Sequence, residues 1–84
     1  MNEYKIWTFD PTETEYGAKG VFRLIGGVIE YDLKSAIKTA QKKYENQSIT
    51  IEVPGTRHRI DIGPEILSDE HIEEILEIVN EKVV

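Results

Sequence analysis

The side chains that could do chemistry are few. His58 and His71 are the candidate general bases, and Ser35, Ser48 and Ser68 the candidate nucleophiles. A serine nucleophile needs a base within hydrogen-bond reach and often a sharp G-x-S-x-G turn to present its hydroxyl. No serine here has that context, and Ser68 precedes an amphipathic run in the position of a helix cap. His71 and Glu74 stand i, i+3 with Glu70 nearby, which puts imidazole and carboxylate on one helical face. A zinc or calcium site needs more ligands than that, and the chain has neither an H-E-x-x-H nor a D-x-D-x-D-G pattern. The sequence therefore predicts no catalytic set, no metal and no cofactor.

Two short stretches could meet phosphate. Gly17-Ala18-Lys19-Gly20 is flexible and basic, but it leads into an extended segment, whereas phosphate cradles lead into a helix N-terminus. Arg57-His58-Arg59 alternates faces in an extended chain, so it does not form one patch. Lys34, Lys38 and Lys42 make a better basic stripe, yet no aromatic residue interleaves with them to stack on bases.

The bulk composition narrows the classes. The chain has 84 residues, no cysteine and a formal net charge of −6. That length predicts a single domain, 1–84. A small chain without disulfide staples fits a reducing compartment, and MNEYKIWTFD has no basic region followed by an apolar run, so the expected location is cytoplasmic. No apolar stretch reaches the ~18–20 residues of a membrane helix. Residues 1–64 balance in charge, whereas residues 65–84 hold seven acidic side chains against Lys82 alone. Such a tail repels phosphate and favours partners with a basic surface.

The elements that must position these groups follow from periodicity. Leu33, Ala36, Ile37, Ala40 and Tyr44 form one stripe of a helix over 32–46, with Asp32 as cap and the lysines opposite. Ile72, Ile75, Leu76, Val79 and Val83 form a second stripe over 69–82, with Glu70, Glu73, Glu74, Glu77 and Glu81 on its far side. Leu67 and Ile72 are spaced as a hydrophobic staple. Residues 3–9 read as a central strand and 10–20 as a long loop. Gly26-Gly27 suits a two-residue turn, which predicts a hairpin over 21–31 pairing Arg23 with Glu30 and placing Phe22, Leu24, Ile29 and Tyr31 toward the helices. Pro54-Gly55 predicts a second hairpin over 48–62, with Val53 opposite Thr56 and Glu52 opposite Arg57. The expected fold is an α+β two-layer sandwich of order βββαββα, an antiparallel sheet of about five strands with both helices on one face.

Two helices cannot cover both faces of such a sheet, so apolar surface must remain exposed, and exposed apolar patches mark interaction sites. The expected function is a non-enzymatic protein-binding module, an inhibitor, immunity or accessory factor. Trp7, Phe9 and Tyr16 are its candidate anchors, Ile78 a flanking contact, and Glu70, Glu73, Glu74, Glu77 and Glu81 its steering charges. A homo-oligomer is expected, built either on the sheet face away from the helices, with Val21, Ile25 and Val28 on it, or on the Ile78 flank. The alternatives are an oligomeric small-molecule binder that uses the 10–20 loop, and a nucleic-acid-binding domain that uses Lys34, Lys38 and Lys42.

Overall fold

The computed structural model describes the backbone of residues 1–15 and 17–83, and the side chains of these apart from 15, 18 and 81–83. The elements run β1 (Asn2–Glu15), β2 (Ala18–Glu30), α1 (Leu33–Lys43), β3 (Ile49–Glu52), β4 (Arg59–Ile62) and α2 (Asp69–Val83). All neighbours in the sheet are antiparallel, in the order β2-β1-β3-β4. The class is the expected α+β arrangement, with four strands instead of five and the order ββαββα.

The difference lies in the first thirty residues. No hairpin forms at Gly26-Gly27. Residues 18–30 are one strand that pairs along β1 from Asn2↔Glu30 to Glu15↔Ala18. The 10–20 segment is therefore the far end of a long hairpin, not a free loop. Two fourteen-residue and thirteen-residue strands satisfy far more backbone groups against each other than a short hairpin of 21–31 could satisfy internally. Gly26 pairs with Ile6 and Gly27 with Lys5. Their lack of side chains makes room: a Cβ on Gly26 would meet the Tyr44 hydroxyl, which donates instead to the Ile25 carbonyl at 3.4 Å. Arg23 and Glu30 thus lie on the same strand. Arg23 lies opposite Thr8 and ion-pairs with Glu13, while Glu30 accepts a 2.7 Å hydrogen bond from Thr39 on α1.

The faces are inverted as well. A register shift after Ile6 leaves Ile25 without a partner, and this bulge switches the parity of β2. Val28 is 4% exposed in the core, and Ile25 packs against the core from the side. Phe22, Leu24, Ile29 and Tyr31 point to solvent. A charged residue at Val28 would therefore attack the fold, not an interface. Farther out, a second shift lies between Asp10 and Thr14, where the Asp10 carboxylate accepts from the Thr12 amide at 2.9 Å and from its hydroxyl. These bonds hold the Asp10 carboxyl below its usual pKa and build an Asx turn around Pro11.

The β3–β4 hairpin keeps its expected faces and moves its register by two. Ile49 pairs with Ile62, Ile51 with Ile60, and Glu52 with Arg59, not Arg57. The turn closes as Thr56 N to Val53 O at 3.2 Å, and Val53 N then reaches His58 O, so the loop is two residues longer than a tight Pro-Gly turn.

One core joins the layers. Tyr4, Ile6, Val28, Ile49, Ile51 and Ile62 line one sheet face, and Ala36, Ile37, Ala40 and Ile72 cover it from the helices. The Asp32 carboxylate accepts from the Ser35 amide at 2.8 Å and caps α1, which lowers its pKa. Ser68 caps α2 through the His71 amide at 3.3 Å, and Leu67 packs on the core beside Ile72 as the staple spacing predicts. A polar clamp fixes the entry to α2. Buried Gln41 of α1 donates to the Glu65 carbonyl at 2.6 Å and accepts from the Leu67 amide at 3.0 Å.

Candidate functional site

With both helices on one face, no described element covers the other. Alternation from the buried core places Glu3, Lys5, Trp7 and Phe9 of β1 there, and Phe22, Leu24, Gly27 and Ile29 of β2 opposite them. Trp7 lies opposite Leu24 and Phe9 opposite Phe22, with the two phenylalanine centroids 5.1 Å apart and the rings tilted by 51°. Such offset, tilted pairs suit the ring quadrupole. Gly20 has φ +92° and a bare Cα against which the Phe9 ring lies, so a side chain at 20 would displace that ring.

The polar side of the face comes from the second hairpin. Arg59 lays its guanidinium 4.7 Å from the Trp7 ring centroid and 5.4 Å from that of Phe22. Glu52 faces Arg59 across the hairpin at 3.7 Å, and the Thr50 hydroxyl donates to Asp61 at 2.8 Å. The face thus divides into an apolar half on β1–β2 and a polar half on β3–β4. Arg59 stitches the two together. Phe9, Phe22, Leu24 and Ile29 remain 50%, 42%, 54% and 60% exposed. The Trp7 indole N–H is shut off from solvent and has no hydrogen-bond partner among the described residues.

At one end of this face the long hairpin runs past the shorter strands and leaves an open groove of about 920 Å³. Phe9, Pro11 and Phe22 form one wall, and Ser48, Ile49 and Gly63 the other. Among the described residues of the 10–20 segment, Pro11 alone lines the groove.

The acidic groups lie elsewhere. Glu70, Glu73, Glu74 and Glu77 are exposed on α2, in the helix layer on the other side of the sheet. They do not share a surface with Trp7 and Phe9. Part of that charge is already matched: Lys34 bonds Glu73 at 2.9 Å, and Lys38 bonds Asp69 at 2.7 Å. The bond from Glu73 raises the Lys34 ammonium above its ordinary pKa, and the bond from Lys38 lowers the Asp69 carboxyl. The basic stripe proposed for nucleic acid is thus largely committed to α2, and Lys43 donates to the Gly27 carbonyl at 3.1 Å. Ile78 is 53% exposed beside a small pocket of about 240 Å³ between α2 and β4, away from the aromatic half of the sheet. Tyr16 and the Glu81 side chain lie outside the described residues.

Periodicity alone places Phe22, Leu24 and Ile29 inward because it pairs them within the wrong hairpin, whereas they are exposed on this face. Reading 18–30 as one strand with an inserted residue would have exposed them. For chemistry the structure offers little: Ser68 is engaged in capping, and among the described residues no three of His, Cys, Asp and Glu gather into a group able to hold a metal. Among the described residues no helix is long and apolar enough to cross a membrane. No family model, curated protein or solved structure matches the chain.

Proposed function

We propose that the chain is a non-catalytic protein-binding module whose contact surface is the uncovered face of its sheet. One observation carries this: Phe9, Phe22, Leu24 and Ile29 stand about half exposed on a single face with no layer over them. Small domains seldom leave such a strip in water unless a partner covers it. Aromatic side chains with few rotatable bonds concentrate interface energy at little cost in entropy, and Arg59 is already ordered over two rings. The acidic α2 then acts at a distance, steering a partner with a basic surface without touching the anchors. A cytoplasmic role as inhibitor, immunity or accessory factor is compatible with this surface.

The Phe9→Ser/Phe22→Ser double variant tests the reading. Both rings are largely solvent-facing, so circular dichroism should stay native. Capture of partner protein from the native host should fall at least tenfold, the equivalent of roughly 1.4 kcal/mol. Capture that survives in a folded double variant would overturn the assignment of this face. A second reading, a small-molecule binder, is favoured by the groove between Phe9, Pro11 and Ser48. A small mass retained in native mass spectrometry would support it.

A further inference from the structure

We infer that the occupant of the uncovered face is a second copy of this chain, packed sheet against sheet about a two-fold axis that crosses the strands at Trp7 and Leu24. This rests on the reading of that face as a binding surface; a second copy is itself acidic, so here it takes the place of a partner with a basic surface and α2 does not steer it.

The pairing ladder supplies the first argument. Counted from the Trp7↔Leu24 pair, Phe9↔Phe22 lies two steps to one side and Lys5↔Gly27 two steps to the other, with the bulge at Ile25 absorbed between them. A two-fold axis through the central pair sets Phe22 of each copy over Gly27 of the other. It also sets Phe9 of each copy over Lys5 of the other. A ring then faces a position without a side chain, and a second ring faces an ammonium group, the arrangement its quadrupole favours. The same rotation stacks the apolar β1–β2 half on itself and the mixed-charge β3–β4 half on itself. Isologous interfaces require this kind of self-complementarity.

Area supplies the second. Four strands at about 4.8 Å spacing make a face roughly 20 Å wide with its side chains. The longest extent of the molecule is 37 Å. Only β1 and β2 run that length, and β3 and β4 widen the face over four residues each, so each copy offers roughly 500 Å², about 1,000 Å² for the pair, which meets the lower bound for a specific interface.

Charge supplies the third. A chain of net charge −6 resists self-association wherever its acidic groups meet. On this face Lys5 and Arg59 nearly balance Glu3, Glu52 and Asp61, and Glu70, Glu73, Glu74 and Glu77 are carried outward on the helix layers. The like charges that the axis does bring together are the two Asp61 carboxylates, level with Trp7 and each already accepting from Thr50. Layers pack about 10 Å apart, so the two α2 helices, with both sheets between them, are separated by roughly 30 Å, beyond the ~8 Å screening length at physiological salt.

Sedimentation velocity between 1 and 100 μM, at 50 and 500 mM salt, tests the inference. A species of twice 9.7 kDa is expected at the upper concentrations. Its dissociation constant should hold or tighten as salt rises, because residual repulsion is screened while apolar burial is not. Phe22→Glu should weaken the dimer at least tenfold with native circular dichroism; should that variant misfold, Leu24→Glu at a more exposed position serves in its place. A monomer throughout the range overturns the second copy. If the Phe9→Ser/Phe22→Ser variant still loses a captured protein, the binding face stands with a different partner. A dimer that dissociates with salt, or that ignores folded Phe22→Glu and Leu24→Glu, also overturns it, because the contact then lies elsewhere.

Discussion

Val28→Lys is expected to abolish the folded state at 25 °C. Val28 is 4% exposed and packs among Tyr4, Ile6 and the α1 stripe, where an ammonium group has no partner. Burying an unpaired charge costs several kcal/mol. A domain of this size has only ~4–12 kcal/mol of total stability. Leu24→Lys, on the same strand but 54% exposed, should keep its circular dichroism and melt within about 1 kcal/mol of the parent. Urea denaturation of the two variants checks the pair. A native Val28→Lys beside an unfolded Leu24→Lys would mean that the two faces of β2 are exchanged.

The second large effect belongs to Gln41. Its amide ties α1 to the segment that leads into α2, donating to the Glu65 carbonyl and accepting from the Leu67 amide. Gln41→Leu keeps the volume and removes both bonds. An orphaned backbone group costs ~1–3 kcal/mol when it stays buried. The expected loss is about 2–3 kcal/mol, read as a lower urea midpoint with an unchanged slope. Faster hydrogen exchange at Leu67 should accompany it. A loss under about 0.5 kcal/mol would show that water replaces the clamp at little cost.

How much of this was legible in the residues varies with the range of the interaction. Both helices, their caps at Asp32 and Ser68, and the Leu67–Ile72 staple followed from local spacing, because the interactions that make them lie within one turn. The basic and acidic stripes were legible, but which residues pair, Lys34 with Glu73 and Lys38 with Asp69, depends on how the two helices cross and was not. The long hairpin did not. Gly26-Gly27 carries the strongest local turn signal in the chain, and only the partnership with β1, twenty residues away, overrides it. The bulge at Ile25 then reverses which side of β2 is wet. It has no sequence signature of its own. That Trp7 and Phe9 share a strand face is legible whatever their partner. Phe22, Leu24 and Ile29 were assigned inward because their faces depend on that bulge. Gln41 was passed over because a polar residue near an apolar stripe reads as solvent-facing until its acceptors fold beneath it.

The central claim is that contact is made through the uncovered sheet face and not through the acidic helix. A photo-activated cross-linker carried at position 22, and in a second preparation at position 74, tests it most directly. Irradiation in the native host should give a discrete cross-linked product from position 22 and none above background from position 74. A product from position 74 alone would place the contact on α2 and contradict the account.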